Sequence, residues 1–580
     1  MPGKVGIGMQ DFRKIRERNA FYIDKTLFIK EWWESLDDVT LITRPRRFGK
    51  TLTMSMVENF YSLEYASGAV IFEGLDIWKE EKYRNLQGTF PVISLSFANI
   101  KEVSYEQTRK KICQILVNLY SRHSYLLESN VLTKKDRDFY QSVSVNMDDA
   151  TATFAIYQLS EYLCRYYGKK VLIFLDEYDT PMQEAYVNGY WKEMADFIRS
   201  MLNAAFKTNP FMERSIMTGI TRITRESVFS DLNNLEIVTI TSEKYESFFG
   251  FTEDEVFAAL DEFGLSEGRQ RIKEWYDGFT FGKRMDMYNP WSILNYLDKR
   301  KLSAYWANSS SNELAERLVR KGSFGIKTDL EELIKGHSIE KSMDEQVVFK
   351  QLDRQEEAVW SLFLACGYLK TLKCRLDENS GKYCYELTLT NKEVQMMFIG
   401  MIRGWFSESR REYSAFTAAM LTGNLELMNE YMNKIAMNSF SFFDVGGKTP
   451  DSGQPESFYH GFVLGLMVEL ADRYIVTSNR ESGFGRYDVV LEPKDRNMDA
   501  IIMEFKAFDQ KREKTLEDTV IRALNQIEEK EYAQELIARG IPEEKIHKYG
   551  FGFKGKQVLI GADYGSGKGS LECMEKALAP

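Results

Sequence analysis

The chain has 580 residues, 44% hydrophobic and 28% charged, with 11 prolines and a net charge of −10 at neutral pH. That length exceeds what one core usually serves and predicts about three or four domains, while the composition excludes long disordered tracts. The acidic balance excludes nonspecific coating of nucleic acid, which needs many Lys and Arg contacts to phosphate, but leaves room for a local basic groove.

Over residues 1–240, short β-rich runs alternate with amphipathic helical stretches, the pattern of an α/β domain with a mainly parallel sheet. Strands are predicted at 39–43, 90–95, 171–175, 215–220 and 237–240, with crossover helices such as 52–63 and 105–120 between them. Near Thr252 the texture changes: Thr252 and Glu255 have capping-box spacing ahead of 256–263, and helices dominate from there. Asp277 and Gly278 mark a turn, and Asn289 with Pro290 reads as an N-cap and first helical residue opening 291–298. Residues 355–395 read as a helix through Trp360 to Gly367 followed by two strands joined at a turn, 377–381, a winged-helix-like unit. Gly446 to Pro455 reads as an interdomain linker. Beyond it come a helix (456–474), strands (487–491, 500–506) and a helix (516–539). The predicted segments are 1–250, 251–445 and 446–580. The six scattered cysteines form no C-x-x-C pair and read as reduced core residues. No cationic start with an apolar stretch appears, and no apolar run approaches the roughly 18 residues that span a bilayer, so a cytoplasmic protein without a membrane partner is expected.

The first strand runs into Arg44-Pro45-Arg46-Arg47-Phe48-Gly49-Lys50-Thr51 and on into a helical pattern, the strand–loop–helix context of a P-loop. There backbone N–H groups would hold the phosphates of ATP, Lys50 would reach the β and γ groups, and the Thr51 hydroxyl would ligate Mg²⁺. Arg44 stands where G-x-x-x-x-G-K-[ST] has its first glycine. The apolar run 171–175 ends in Asp176 and Glu177, placing Asp176 in the Mg²⁺ shell and Glu177 as orienter of the attacking water, with Asp179 as a third acid. Thr218 to Arg222 would sense the γ-phosphate. Gly565-Ser566-Gly567-Lys568 lacks the first glycine at the right offset and the Ser or Thr, and reads as a loop.

In the last segment, strand alternation puts Glu504 and Lys506 on one face and Met503 and Phe505 on the other, with Asp488 on the neighbouring strand. Two carboxylates beside a lysine suit Mg²⁺-dependent phosphodiester hydrolysis. Glu456 would add a metal ligand, and Gln526 with Lys530 would hold the backbone or the base. The bland alternative is a solvated strand face with an ordinary ion pair. His460 stays unassigned, and the aromatic stretches 21–28 and 248–251 read as core.

Phe21-Tyr22-Ile23-Asp24-Lys25-Thr26, Thr43 to Thr51, Asp176-Glu177-Tyr178-Asp179, Trp275-Tyr276-Asp277-Gly278, Tyr288-Asn289-Pro290 and Ser478 to Asp488 together carry a resemblance. The chain resembles bacterial AAA-ATPase-like proteins with a C-terminal nuclease domain of the PD-(D/E)xK superfamily. The resemblance implies an α/β P-loop NTPase domain, a mainly helical middle region and a C-terminal α/β restriction-endonuclease-like domain. It implies ATP binding at Lys50 and Thr51, the acid roles at Asp176 and Glu177, and a metal-nuclease triad of Asp488, Glu504 and Lys506. In that family an arginine at the first glycine position is usual. The implied roles are conflict with phage or plasmids, or maintenance of mobile elements.

The leading expectation is an ATPase whose nucleotide state controls a Mg²⁺-dependent nuclease, acting on DNA ahead of RNA. The alternative is a nonenzymatic ATP-dependent switch whose degenerate nuclease domain only binds nucleic acid or protein. A third reading makes residues 355–395 a DNA-reading head. An arginine supplied in trans, Arg222 or Arg225, would require a homo-oligomer.

Overall fold

In a computed structural model, the described residues are 3–221, 229, 232–309, 312–343, 351–352, 355–378, 381–405, 410–443, 456–479, 487–509, 512–529, 531–554 and 557–563. They form two compact units: Met1–Ser311 with Ser338–Gln395, and Asn312–His337 with Met396–Pro580. The segment 251–445 thus contributes to both. The expected linker Gly446 to Pro455 and the Gly565-Ser566-Gly567-Lys568 stretch lie outside the described residues.

The first unit is organised by five parallel strands, β1 (Val39–Thr43), β2 (Val92–Ser96), β3 (Val171–Asp176), β4 (Met212–Gly219) and β5 (Leu235–Val238), in the order β2-β3-β4-β1-β5. Every residue of β1 and β3 is buried, as continuous apolar runs in a helix-covered parallel sheet should be. β2 starts later than expected because Pro91 has no N–H for the ladder; Phe90 instead forms an isolated bridge with Ser62. β5 ends early because the Thr239 amide turns to the Ser242 hydroxyl. β4 lies between the phosphate-loop strand and the acid strand, so Thr218 ends up between them. In such sheets ligands bind at the carboxyl ends of the strands.

Aromatic residues fill the core beside this sheet: Trp32 meets Tyr61 and Phe174 edge-on, and Phe28 meets Tyr245 and Phe249. Phe28, Phe249 and Phe251 are buried, the core role expected of those stretches.

The chain continues through β6 (Phe251–Thr252), β7 (Phe279–Phe281) and β8 (Arg284–Tyr288), a small sheet of order β6-β8-β7. Thr252 and Glu255 form a full capping box on the helix Glu253–Glu262. The Asn289 side chain caps the helix Pro290–Lys299 by accepting from the amides of Trp291 and Ser292. The helix Glu356–Ala365 and the hairpin of β10 (Leu369–Asp377) and β11 (Lys382–Leu389) match the expected unit. Preceding them, β9 (Ile339–Ser342) adds a third strand that sequence reading missed, being four residues long and mostly polar.

In the second unit, β12 (Tyr474–Asn479), β13 (Tyr487–Pro493), β14 (Ala500–Ala507), β15 (Ile546–Lys554) and β16 (Gln557–Asp563) form one mixed sheet in sequential order. Only β14 and β15 are parallel, and the helix Leu516–Glu529 lies between them in sequence. That helix comes so close that a Cβ on Gly550 would lie 2.8 Å from the Val520 carbonyl oxygen. The alternate residues pack elsewhere: Phe505 stacks on Phe551 at 4.6 Å, and Phe462 meets its edge.

Candidate nucleotide and nuclease sites

The loop after β1 turns through two left-handed residues, Arg47 (φ 66°) and Gly49 (φ 84°), before the helix Lys50–Tyr61. A Cβ on Gly49 would meet nothing within 4 Å, so φ rather than space calls for glycine there. Lys50 is buried and donates to the carbonyls of Arg44 and Pro45, each at 2.9 Å. Burial lowers its pKa, against the pull of Glu177, Asp176 and Asp179.

Arg44 is a strut. Its amide donates to the Gly219 carbonyl at 3.1 Å, and its guanidinium, fully buried, donates to the carbonyls of Thr43 (2.9 Å) and Thr239 (2.6 Å) over the Phe281 ring. Burial pulls its pKa down to about 9, partly offset by Glu246. The arginine in the first glycine position therefore faces the fold, and Pro45 has no N–H, so any phosphate-holding amides of the loop would have to come from Arg46 onward. The Phe48 ring is held edge-on by Phe279 and Phe281, the Arg47 guanidinium lies 4.3 Å over Trp291, and the Arg46 side chain reaches Gln183. The Arg46 carbonyl accepts from Asn289 Nδ2 (3.2 Å) and Trp306 Nε1 (3.0 Å).

A chain of hydroxyls and acid joins the ends of β3 and β4 to the first turn of the helix Lys50–Tyr61. Thr51 Oγ1 donates to Asp176 Oδ2 at 2.8 Å, Thr218 Oγ1 donates to Asp176 Oδ1, and the Glu177 amide donates to Thr218 Oγ1. Glu177 has φ 51°, a costly backbone state for a side chain with a Cβ. Burial raises its pKa, and Asp176 and Asp179 add to the rise while Lys50 opposes it. Asp179 braces the β4 exit: its Oδ2 accepts from the amides of Ile220 and Thr221, from Thr221 Oγ1 and from Gln183 Nε2. Arg222 and Arg225 lie outside the described residues.

In the second unit, antiparallel register sets Asp488 directly opposite Glu504, and Lys506 follows two residues along β14. Glu504 is fully buried, and Lys506 Nζ lies 2.7 Å from its Oε1 while also donating to Gln526 Oε1. Among the described residues, Glu504 Oε2 has no hydrogen-bond partner, which suits a carboxylate that holds a divalent cation. This separates the constellation from a solvated strand face. Glu456 opens the helix Glu456–Leu470, and Asp488 stands second in β13; their side chains, and Lys530, lie outside the described residues.

Sequence reading missed three features. Trp306 and Asn289 hold the phosphate loop from far along the chain, and only the Asn-Pro cap was visible. Glu393 is fully buried, accepts from the Trp306 amide (2.6 Å) and the Ser292 hydroxyl (2.9 Å), and has its pKa pushed up to about 7 by burial. Glu253, Asp277 and Asp286 bring carboxylates within 4.8 Å of one another, but the Lys273 ammonium pairs with all three. Among the described residues no helix is long and apolar enough to cross a membrane.

A parallel sheet with a strand–loop–helix phosphate cradle after β1 and acids after β3, two strands away across β4, defines a P-loop NTPase fold, followed by a mixed sheet bearing a buried Glu–Lys pair. In agreement, residues 6–229 match the family described as predicted AAA-ATPase, and residues 454–563 match the PD-(D/E)XK nuclease superfamily. The chain thus joins an AAA-ATPase-like domain to a nuclease-superfamily domain. It is 25% identical over 305 residues to an uncharacterized protein in the vnfD 5' region of Azotobacter chroococcum mcd 1. That match covers 52% of this chain and 53% of the relative, so about half the length of each is shared.

Proposed function

We propose that this protein binds and hydrolyses ATP at the Lys50 site and that nucleotide state controls a nucleic-acid phosphodiesterase at Asp488, Glu504 and Lys506. The observation that carries the reading is Glu504, buried opposite Asp488 with one oxygen on Lys506 and the other without a partner among the described residues. The Thr51–Asp176–Thr218 chain supports the nucleotide half.

Thr51 and Asp176 would hold Mg²⁺ at the nucleotide, and Asp488 and Glu504, with Glu456, would hold it at the nuclease site. Bound there, the ion supplies charge neutralisation and a more acidic water. Lys506 fixes one Glu504 oxygen and offers positive charge to a phosphodiester; Gln526 orients that ammonium. Glu177 would orient the water that attacks the γ-phosphate.

DNA is the proposed substrate, in a bacterial cytoplasm, with a homo-oligomer supplying Arg222 or Arg225 and a role in defence or mobile-element processes. The proposed functional segments are 1–250, 251–445 and 446–580. Cleavage of single- and double-stranded DNA and RNA, with Mg²⁺ or Mn²⁺ and with or without ATP, tests the reading. Cleavage lost in Glu504→Ala and altered in Lys50→Ala supports it. Absence of cleavage under every condition, with assembly still dependent on Lys50, would replace it with the nonenzymatic switch.

A further inference from the structure

The Arg46 carbonyl of the phosphate loop accepts from Asn289 Nδ2 and Trp306 Nε1, two side chains remote from it in sequence. Both donors lead back to one buried acid. Glu393 Oε1 accepts from the Trp306 amide at 2.6 Å and the Ala307 amide at 3.5 Å, which fixes the backbone from which the Trp306 indole reaches the loop. Glu393 Oε2 accepts from the Ser292 hydroxyl at 2.9 Å. Ser292 in turn donates its amide to Asn289 Oδ1, so the asparagine that caps the helix Pro290–Lys299 is held while its Nδ2 faces Arg46. The Trp291 indole ties the same two segments a second time by donating to the Tyr305 carbonyl at 3.2 Å.

The helix and hairpin that precede Glu393 in sequence also touch the phosphate loop directly. Gly367, between the helix Glu356–Ala365 and β10, has φ 81°, and a Cβ there would lie 2.8 Å from Pro45 Cγ. Thr390, just beyond β11, donates its hydroxyl to the Gly367 carbonyl at 2.7 Å and its amide to the Tyr368 carbonyl at 3.2 Å. The helix–hairpin unit thus meets Pro45 at one end and reaches Arg46 through Glu393 at the other. Burying a carboxylate is costly unless it is hydrogen-bonded, and an apolar side chain of similar size would fill the space without that cost. What the acid adds is direction, because two oxygens that accept from two segments hold those segments at a fixed spacing.

We propose that Glu393 is a positioning residue of the nucleotide site, holding Asn289 and Trp306 where both reach the Arg46 carbonyl, and that nucleotide at the loop and the helix–hairpin unit stabilise one another through it. The proposal rests on the P-loop reading. Such coupling is reciprocal: nucleotide should tighten the contacts around Glu393, and loosening those contacts should weaken nucleotide.

Calorimetric titration of the full chain with Mg-ATP, well below the melting temperature of each variant, tests it. Glu393→Ala should weaken Mg-ATP about tenfold, whereas Glu393→Gln, whose amide still accepts from Trp306 and donates to Ser292, should stay within about twofold of wild type. On a background of Trp306→Phe with Asn289→Ala, where neither side chain reaches Arg46, Glu393→Ala should weaken Mg-ATP no further. Saturating Mg-ATP should slow hydrogen exchange at the Trp306, Ala307 and Thr390 amides of wild type and leave it unchanged in Glu393→Ala. A Glu393→Ala protein that melts earlier yet binds Mg-ATP as wild type does overturns the proposal and leaves an acid of purely structural role. So does an equal loss on the double background, or a Glu393→Gln protein as weak as Glu393→Ala. Exchange in wild type that ignores Mg-ATP overturns it as well, and that measurement decides the matter should Glu393→Ala not fold. Lys50→Ala separates the two readings: if it keeps wild-type affinity for Mg-ATP, the P-loop reading falls and takes the proposal with it, whereas if it loses Mg-ATP and Glu393→Ala does not, the proposal alone falls.

Discussion

Lys50 and Lys506 are both buried beside carboxylates, yet they are held in different ways. Lys50 donates to two carbonyls of its own loop, with Asp176, Glu177 and Asp179 acting through space. Lys506 is bound by side chains, a carboxylate and an amide. A lysine held by backbone keeps its place when neighbouring acids change. One held by a buried carboxylate shares its fate, because removing either partner leaves an uncompensated charge. The first site is built to tolerate a change in its anionic surroundings, and the second to keep two charges locked together.

The largest expected effect breaks that lock. Glu504→Ala should cost the second unit about 3–5 kcal/mol, the usual penalty for stranding a buried charge. Hydrogen exchange at β14 in the full chain reads it. Adding Lys506→Met should recover most of the loss without restoring cleavage. Wild-type protection in the single variant would show that the pair is not the linked unit described.

Next comes Lys50→Ala. Only two buried carbonyls lose a donor, so a stability loss of about 1–3 kcal/mol is expected. Mg-ATP affinity should fall at least a hundredfold. A stability loss as large as that of Glu504→Ala would erase the contrast between the two lysines.

Much of this contrast was legible beforehand. The buried parallel strands read as unbroken apolar runs, so β1 was placed to the residue and β3 missed only Asp176. Strand alternation alone put Glu504 and Lys506 on one face. What stayed hidden depends on contacts between residues remote in sequence. Nothing local marks Trp306 as a partner of Arg46, some 260 residues away. Nothing local marks the role of Arg44 either, because bracing carbonyls at the end of β5 exists only once the sheet has formed. Glu393 sits in a helical pattern like many surface acids, and only tertiary burial makes it unusual.

Glu393 supplies the next prediction, which carries the comparison to a buried acid without a lysine. Its folded pKa of about 7 lies above the ordinary 4.5. Between these values the folded chain holds a proton that the unfolded chain has released. Its contribution is therefore fully present below about pH 4.5 and lost as pH rises through 7, by up to about 3 kcal/mol at 1.36 kcal/mol per unit. Burial likewise raises Asp277 to about 6, in the same sense. Urea unfolding of the full chain at pH 5 and pH 8 should show the first unit weaker at the higher pH, and Glu393→Gln should flatten most of that difference. A first unit that strengthens with pH would mean that Glu393 is ionised in the fold.

The smallest effect probes whether the loop that anchors Lys50 is itself held from outside. Trp306→Phe removes one donor to the Arg46 carbonyl while keeping a ring beside Phe279 and Tyr368. Asn289 still donates to the same oxygen, so the loss should be about 1 kcal/mol, or roughly fivefold in Mg-ATP affinity if the loop's geometry is what suffers. Asn289→Ala alone also loses a helix cap, worth about 1 kcal/mol. Together the two changes leave the carbonyl without either side-chain donor and should cost more than their sum. Strict additivity in nucleotide affinity would show that the two donors do not act through the Arg46 carbonyl. The Lys50 anchor would then depend on the loop's own backbone alone, and the two lysines would differ even more sharply.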